Sequence, residues 1–268
     1  MYSKIKTNMP PLVSIVTPSY NQARFLTETI RSVLTQDYPN FEYIIVDGGS
    51  TDGSAEIIKQ YTDKLAWWVS EPDLGQADAI NKGFAHAHGE IFAWLNSDDT
   101  YQPGAISQAV ESFLAFPDAA LVYGDANLID EKGNIIGRFP SRQTNLHRLL
   151  RGSVHIPQQT TFFRSNSWEQ VGHLDPTFHM AMDYDLWVRL AKLASLIYVP
   201  RLWANFRLHN EGKSVALDDR FYPEMIRVYQ RERGEGISFL AVRWRLRRIF
   251  YAWLPLHLRL RLRQIFTP

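Results

Sequence analysis

Residues 12–53 read LVSIVTPSYNQARFLTETIRSVLTQDYPNFEYIIVDGGSTDG, and this stretch decides the class of fold. Its apolar pattern predicts a strand at 12–17, an amphipathic helix at 23–35 and a second, buried strand at 43–46. A strand that leads through a helix into a neighbouring strand makes a right-handed crossover, which places the two strands parallel. The stretch therefore predicts an α/β protein with a mainly parallel sheet.

The same alternation continues along the chain. Helices are predicted at 54–61, at 77–88 and from Pro103, and strands at 65–69, 91–95 and 120–123. The expected architecture is a Rossmann-like sheet with helices on both faces. After residue 125 the pattern is less regular, with one clear helix at 184–193. Such sheets bind ligands outside the carboxyl ends of their strands, and polar clusters follow Thr17, Val46 and Leu95.

Composition excludes several classes of protein. Of the 268 residues, 45% are hydrophobic and 21% are charged, which is too apolar for a disordered chain. The absence of cysteine excludes a disulfide scaffold and thiol catalysis. The formal charge is +1, but seven arginines and no acidic residue follow Glu235, which leaves −6 for the rest of the chain. A net negative charge on the main part of the chain is not typical of a protein that binds nucleic acid.

An acidic loop, Asn96-Ser97-Asp98-Asp99, follows one predicted strand. Adjacent carboxylates repel each other, and a divalent cation with oxygen ligands relieves that repulsion. The same residues are typical of a helix N-terminus, because Asp favours capping positions. Both interpretations are open from the residues alone.

Two other polar segments suit a nucleotide. Asp47 begins a glycine-rich loop and can accept hydrogen bonds from a base or a ribose, although a tight turn is the alternative. Gln76, Asp78 and Lys82 lie near a predicted helix start, where a pyrophosphate is favoured, although a solvated helix face is equally possible. The loop at 47–53 matches neither the dinucleotide-binding glycine pattern nor the P-loop, which argues against a dehydrogenase and an NTPase.

Two pairs of titratable residues lie further along the chain. Asp183 and Asp185 begin a predicted helix, where one carboxylate can act as a general base and the other can cap the helix. Arg207 and His209 are alternate residues, so in an extended segment both point the same way. That pair suits a diphosphate, or a metal completed by His209, although a structural histidine is the alternative.

Together these segments resemble the family 2 glycosyltransferases, which have the GT-A fold. The resembling segments are SIVTPSYN at 14–21, IVDGGSTDG at 45–53, WLNSDD at 94–99, PG at 103–104, MDYDLW at 182–187 and RLH at 207–209. They follow one another in the family's order and spacing, and the similarity covers about residues 11–215.

The resemblance implies a nucleotide-sugar donor, with UDP as the expected nucleotide. Pro18, Tyr20 and Asp47 would hold the nucleobase, and Arg207 would stabilise the diphosphate. The full set assigned to the donor is Pro18, Tyr20, Asn21, Asp47, Ser50, Gln76, Asp78, Lys82, Asn96, Ser97 and Arg207.

The resemblance also implies a divalent cation, Mg²⁺ or Mn²⁺. Asp98 closes the family's DxD motif, in which Asn96 here replaces the first aspartate. The expected metal ligands are Asp98, Asp99 and His209. The family's Glu-Asp pair near the acceptor is Met182-Asp183 here, with Asp183 at the position of the base. The candidates for the acceptor side are His155, Gln158, Gln159 and Asp185.

The expected activity is metal-dependent, inverting transfer of a sugar to a glycan or lipid-linked acceptor, as in cell-surface polysaccharide synthesis. Asp183 would remove the acceptor proton while the metal stabilises the leaving diphosphate. One alternative is a nucleotidyltransferase on the same architecture, but Pro18-Ser19-Tyr20-Asn21 is not the glycine-rich phosphate loop it needs. The other is a non-catalytic nucleotide-sugar-binding or membrane scaffold protein, which Asn96 and Met182 leave open.

The predicted domains are a catalytic domain at 1–215 and a helical, basic, amphipathic extension at 216–268. In 239–253 the apolar residues share one helical face flanked by four arginines, a pattern typical of a helix on an anionic membrane surface. A terminal helix packed on the catalytic domain is the alternative. Neither a signal peptide nor a run of 18 apolar residues is recognised. The expected location is the cytoplasm, with peripheral contact at the inner face of the cell membrane.

Overall fold

The computed structural model of the chain describes residues 10–209, 212, 218–233 and 242. These residues form one nine-stranded sheet with helices on both faces. The strands are β1 (Val13–Ser19), β2 (Phe41–Asp47), β3 (Trp67–Ser70), β4 (Ile91–Trp94), β5 (Thr100–Tyr101), β6 (Ala119–Ile129), β7 (Ile135–Arg138), β8 (Thr161–Arg164) and β9 (Ser195–Arg207). The α-helices are α1 (Ala23–Leu34), α2 (Ser54–Lys59), α3 (Gln76–Ala85), α4 (Ala105–Ala115), α5 (Leu146–Leu150), α6 (Ser165–Val171), α7 (Met182–Leu193) and α8 (Asp218–Arg233).

The strand order is β3-β2-β1-β4-β8-β6-β9-β5, with β7 paired to β6. Strands β1 to β4 run parallel, as the strand–helix alternation predicts. Strand β8 is antiparallel to both β4 and β6, and it joins this half of the sheet to the long parallel strands β6 and β9. The predicted α/β sheet is confirmed, and the strand predicted at 120–123 is the start of an 11-residue strand.

The central strands are buried on both faces, which explains their continuous apolar sequences. Ile15 and Ile45 belong to a core with residues of α1 and α4 on one side of the sheet. Val16 and Val46 belong to a second core with residues of α3 and α7 on the other side. Successive residues of one strand thus anchor helices on opposite faces of the sheet.

Strand register brings the polar loops to one edge of the sheet. Ser19 at the end of β1 pairs with Asp47 at the end of β2, and Val16 pairs with Trp94 at the end of β4. The loop after β4 is fixed by Thr29 of α1, whose hydroxyl lies 2.9 Å from the carbonyl oxygen of Ser97 and 2.7 Å from that of Asp99. The loops after the parallel strands therefore open on the same side.

Helix α8, which belongs to the predicted extension, packs against α7. Its Met225 and Val228 are buried in the same core as Leu186 and Leu190 of α7. The amphipathic helix predicted at 239–253 lies outside the described residues except for Val242. Among the described helices, none combines the length and the apolar character needed to cross a bilayer.

Candidate functional site

A cavity of about 810 Å³ opens at the carboxyl edge of the parallel strands. Its walls come from the loops after β1, β3 and β4, the 3₁₀ turn Gln158–Thr160, the start of α7, the end of β9 and α8. The predicted site residues that line it are Pro18, Tyr20, Gln76, Asn96, Ser97, Asp98, Asp99, Gln158, Gln159, Asp183 and Arg207. The edge of the sheet singled out by the sequence is thus where the cavity lies.

Eight predicted site residues lie outside the cavity lining: Asn21, Asp47, Ser50, Asp78, Lys82, His155, Asp185 and His209. Among them, Lys82, Asp78 and His155 contact groups that do not line the cavity either. Lys82 Nζ lies 2.6 Å from a carboxylate oxygen of Glu71. Asp78 accepts a hydrogen bond of 3.1 Å from the backbone N–H of Leu74. His155 Nδ1 lies 3.0 Å from a backbone carbonyl oxygen, that of Pro140. These side chains hold local structure, because their polar groups are already engaged.

The acidic loop carries a carboxylate–histidine pair. His209 Nε2 lies 3.0 Å from Asp98 Oδ2, and the imidazole is buried against the ring of Phe25. Asp99 is buried, and its Oδ1 accepts a 2.9 Å hydrogen bond from the backbone N–H of Arg207. Burial, together with the neighbouring charge of Asp98, raises the pKa of Asp99. Asp98 is therefore the carboxylate of this loop that is paired with an imidazole, while Asp99 binds the end of β9.

This donor set suits a divalent cation through two ligands. A carboxylate oxygen and an imidazole nitrogen are both ligands of such ions, and Asp98 and His209 supply one of each. Within the described part of the chain, no three His, Asp or Glu side chains converge at metal-binding geometry. A cation held here would take its other ligands from water and from substrate phosphates, as such cations commonly do. Asp99, predicted as a third ligand, instead supports the loop.

Arg207, predicted to contact a diphosphate, lines the cavity and binds the acidic loop with its guanidinium. Its Nε donates to the carbonyl oxygen of Asp98 at 2.8 Å, and Nη2 donates to Glu28 Oε2 at 2.6 Å. Nη1 lies 3.2 Å and 3.3 Å from the carbonyl oxygens of Asp130 and Glu131. The side chain is 1% exposed, so these contacts replace its hydration.

Asp47 holds the loop after β2. Its Oδ2 accepts hydrogen bonds from the N–H of Ser50 at 2.9 Å and the hydroxyl of Ser70 at 2.7 Å, and its Oδ1 accepts the Ser50 hydroxyl at 2.6 Å. Ser50 in turn accepts the N–H of Asn21 at 2.7 Å, which ties the loops after β1 and β2 together. Asp47 is fully buried, and the carboxylate that lines the cavity nearby is that of Asp73, which the sequence analysis missed.

Asp183 lies in the first turn of α7 and lines the cavity. Its Oδ1 accepts a 2.7 Å hydrogen bond from the backbone N–H of Tyr184. Burial of the carboxyl raises the pKa of Asp183 to about 6, and the negative charge of Glu224 acts in the same direction. A carboxylate with a pKa this close to neutrality is suited to accept a proton as a general base.

Asp185, predicted on the acceptor side, instead belongs to a buried ion-pair network outside the cavity. Its Oδ2 lies 2.8 Å from Arg189 of the same helix, and its Oδ1 lies 2.6 Å from Arg231 of α8. The Asp185 side chain is 1% exposed, so the two guanidinium groups compensate the lost hydration of its charge. Asp185 therefore joins α7 to α8.

We expect Asp185→Asn to lower the free energy of unfolding by about 2 kcal/mol, because it leaves two guanidinium groups without their carboxylate. The arginines are partly exposed, so water compensates part of the loss. Urea unfolding measures the change. Since Asp185 does not line the cavity, donor affinity should be unaltered. Unchanged stability together with weakened donor binding would contradict the structural role and place Asp185 in the ligand site.

An apolar wall of the cavity was also missed. It is formed by Trp94, Leu128, Phe139, Val154, Ile156, Met180, Met182, Trp187, Phe206, Leu208 and Phe221. These residues come from segments spread between β4 and α8, and in a sequence they have the same pattern as ordinary core residues. The methionine at 182, in place of the expected glutamate, is the one local signal of an apolar surface beside Asp183.

The fold is that of an α/β protein with a cavity at the carboxyl edge of its parallel strands, which is where such sheets bind ligands. Residues 14–182 match Glycosyl transferase family 2. Because the match covers well over half of the chain, the chain belongs to this family.

Similar proteins agree with this membership. An uncharacterized glycosyltransferase of Rickettsia conorii is 33% identical over 214 residues, which make up 76% of this chain and 35% of that protein. The putative teichuronic acid biosynthesis glycosyltransferase TuaG of Bacillus subtilis is 29% identical over 225 residues, or 78% of this chain and 83% of that protein. The chain thus spans about a third of the rickettsial relative.

Two solved structures share the fold. TarS of S. aureus in complex with UDP-GlcNAc has a TM-score of 0.67 at 19% identity, covering 84% of this chain and 68% of TarS. The mannosyltransferase PcManGT from Pyrobaculum calidifontis, in complex with GDP-Man and Mn²⁺, has a TM-score of 0.65 at 21% identity. The match covers 87% of this chain and 69% of PcManGT. The GT-A fold implied by the sequence motifs is therefore confirmed.

Proposed function

We propose that this protein is a metal-dependent, inverting glycosyltransferase that moves a sugar from a nucleotide-sugar donor to a hydroxyl of a glycan or lipid-linked acceptor. One observation carries the proposal: Asp183, with a pKa of about 6, lines the same cavity as Asp98 of the Asp98–His209 pair. Sugar transfer by one displacement needs a proton acceptor and a group that stabilises the leaving diphosphate. Asp183 would be the proton acceptor, and a divalent cation held by Asp98 and His209 would be the stabilising group.

The nucleotide end of the donor is proposed to lie between the loops after β1, β3 and β4. Tyr20 is 63% exposed at the cavity and offers an aromatic face to a base. Asp73 offers a carboxylate that can accept base N–H groups. Gln76 Nε2 donates to Asn96 Oδ1 at 2.7 Å, and these amides are suited to ribose hydroxyls.

Asp98 and His209 would hold the divalent cation. When bound, Mg²⁺ or Mn²⁺ neutralises negative charge that develops on the leaving diphosphate. Arg207 would support this step indirectly, by holding the loop that carries Asp98. Its Nε donates to the carbonyl oxygen of Asp98, and its backbone N–H donates to the carboxylate of Asp99. The presence of Mn²⁺ in the PcManGT complex supports the proposal.

The acceptor hydroxyl is proposed to be deprotonated by Asp183. The acceptor oxygen bonds to C1 of the sugar as the bond between C1 and the diphosphate oxygen breaks, and that electron pair leaves with the diphosphate. The proton passes to the Asp183 carboxylate. Attack from the face opposite the leaving group inverts the anomeric configuration.

Three observations support the choice of substrates. The similarity to TuaG supports a role in cell-surface polysaccharide synthesis. The fold shared with TarS, which was solved with UDP-GlcNAc, makes UDP-sugars the first donors to test. The apolar wall beside Asp183, with Met180, Met182 and Phe221, suits an acceptor that has an apolar part.

A thermal-shift panel tests the donor site. It combines UDP-, GDP-, dTDP- and CDP-sugars with Mn²⁺, Mg²⁺ or EDTA, because a ligand that binds only the native state raises its melting temperature. We expect one nucleotide class to stabilise the protein and EDTA to remove most of the effect. Release of the nucleotide from that donor, with metal, then distinguishes an enzyme from a scaffold. Binding without any turnover would favour the scaffold.

Peripheral contact with the inner face of the cell membrane is part of the same proposal. It is supported by the arginine-rich, acid-free composition after Glu235, since basic amphipathic segments bind anionic lipids. We expect removal of residues 239–268 to abolish sedimentation with vesicles that contain phosphatidylglycerol. Phosphatidylcholine vesicles are the control, and unchanged sedimentation of the shortened protein would contradict the proposal.

A further inference from the structure

The turn before α7 is held by a carboxylate from another helix. No side chain of its own segment caps α7, whose N-cap residue is Ala181. Instead, Glu224 Oε2 accepts hydrogen bonds of 2.8 Å from the N–H groups of both Met180 and Ala181. Glu224 Oε1 accepts a third, of 3.1 Å, from the N–H of His179. One carboxylate thus binds three consecutive backbone amides, an arrangement that suits an anion.

The same face of α8 contacts this region along its length. Phe221, one turn before Glu224, lines the cavity together with His179 and Met180. One turn after Glu224, the Arg227 guanidinium lies 3.7 Å from the ring centroid of Phe178. Positions three and four apart lie on one side of a helix, so α8 presents a continuous surface to the turn and to α7.

Met182 and Asp183 follow the turn directly. The backbone that Glu224 holds therefore leads within two residues to the carboxylate that lines the cavity. A shift of this turn would move the first turn of α7, and with it the Asp183 side chain. Three hydrogen bonds thus connect α8 to the segment that carries Asp183.

We propose that Glu224 is a positioning residue for Asp183, because it binds the 179–181 turn and so sets where the proton-accepting carboxylate lies in the cavity. The inference rests on the proposed role of Asp183 and adds that α8 is required for catalysis. Glu224 acts through the backbone, since it does not line the cavity.

The charge of Glu224 gives the proposal a distinctive signature. Burial accounts for most of the rise in the pKa of Asp183, and the negative charge of Glu224 adds to it. Removing that charge makes ionisation of Asp183 easier and lowers its pKa. The acid limb of the pH–activity profile should then move to lower pH, which simple loosening of α8 elsewhere would not produce.

Glu224→Gln is the main test, because it keeps the size of the side chain and one acceptor oxygen but removes the charge. We expect kcat to fall by about 100-fold, the effect of a small misplacement of a reacting group, with the donor KM nearly unchanged. The acid limb should move to lower pH. Amide hydrogens at 179–181 should exchange faster, as read by mass spectrometry. Glu224→Ala should show the larger loss of protection.

Glu232→Gln is the matched control. Glu232 lies on the same helix, and its carboxylate lies 2.6 Å from Lys192 Nζ of α7 and 2.9 Å from Arg231 Nε. Its loss removes a charge and an α7–α8 contact, but none of the bonds to the turn. We expect its kcat, acid limb and amide exchange at 179–181 to match those of the unmodified protein.

A folded Glu224→Gln protein with unaltered kcat, pH profile and exchange would overturn the proposal, as would equal effects of Glu232→Gln. Amide hydrogen exchange measures the protection of the 179–181 turn, and an NMR titration of ¹³C-labelled aspartate measures the pKa of Asp183. Neither measurement needs a substrate. If no donor supports transfer, these two measurements still decide the role of Glu224. Failure of the proposed function therefore stays distinguishable from failure of this inference.

Discussion

Asp183→Asn is expected to lower the rate of sugar transfer by about 10³-fold, because positioned general bases contribute factors of this size. The amide has nearly the shape of the carboxylate and its oxygen can still accept the N–H of Tyr184, but it cannot take a proton from the acceptor hydroxyl. The thermal shift with the nucleotide-sugar should be unchanged. Coupled detection of the released nucleotide measures the rate.

The pH dependence provides an independent check on the same residue. A base must be deprotonated to act, so activity should be low below the pKa of Asp183 and rise through about pH 6. Asp183→Asn should lack this limb in its residual activity. Near-normal turnover with the limb intact would remove Asp183 from the mechanism and leave the base unassigned.

Asp98→Ala is expected to abolish the metal-dependent part of donor binding and to lower transfer by about 10³-fold, since a metal contributes several kcal/mol to stabilising a leaving phosphate. It removes the carboxylate of the Asp98–His209 pair but leaves the backbone carbonyl that Arg207 binds. In the thermal-shift assay, the difference between Mn²⁺ and EDTA should disappear.

Asp78→Asn is the matched control for this variant. Asp78 does not line the cavity, and an asparagine can still accept the N–H of Leu74. Its melting-temperature shift with donor and metal should equal that of the unmodified protein. If Asp98→Ala keeps the full metal-dependent shift, the cation binds elsewhere, and the proposed pairing of Asp98 with His209 as ligands is wrong.

Much of the architecture could be predicted from sequence because the signals are local. A buried parallel strand is a continuous apolar run, and the helix between two such strands has its own periodicity. The polar segments after Thr17, Val46 and Leu95 then had to meet at one edge, and the strand register places them there. Strands β5, β7, β8 and β9 were missed, among them the antiparallel insertion of β8, because strand order depends on contacts between distant segments.

The site was predicted less completely, because the role of a charged group depends on its partners. Arg207 and Glu28 are 179 positions apart, yet their side chains lie 2.6 Å apart. Asp185 has the same place in a helix start as a catalytic carboxylate, and only the approach of Arg231 shows that it is structural. Glu224 carries no motif at all, and its importance is visible only from the three amides that it binds.

The sequence by itself determined the α/β class, the edge of the sheet where the cavity lies and the family to which the chain belongs. Apolar periodicity and motif spacing are properties of the sequence itself, so they can be recognised without knowledge of the fold. Tertiary structure alone decided which carboxylates and guanidinium groups are available to a substrate. A buried charge must be compensated by a partner, and packing between distant segments, rather than the neighbouring sequence, supplies that partner.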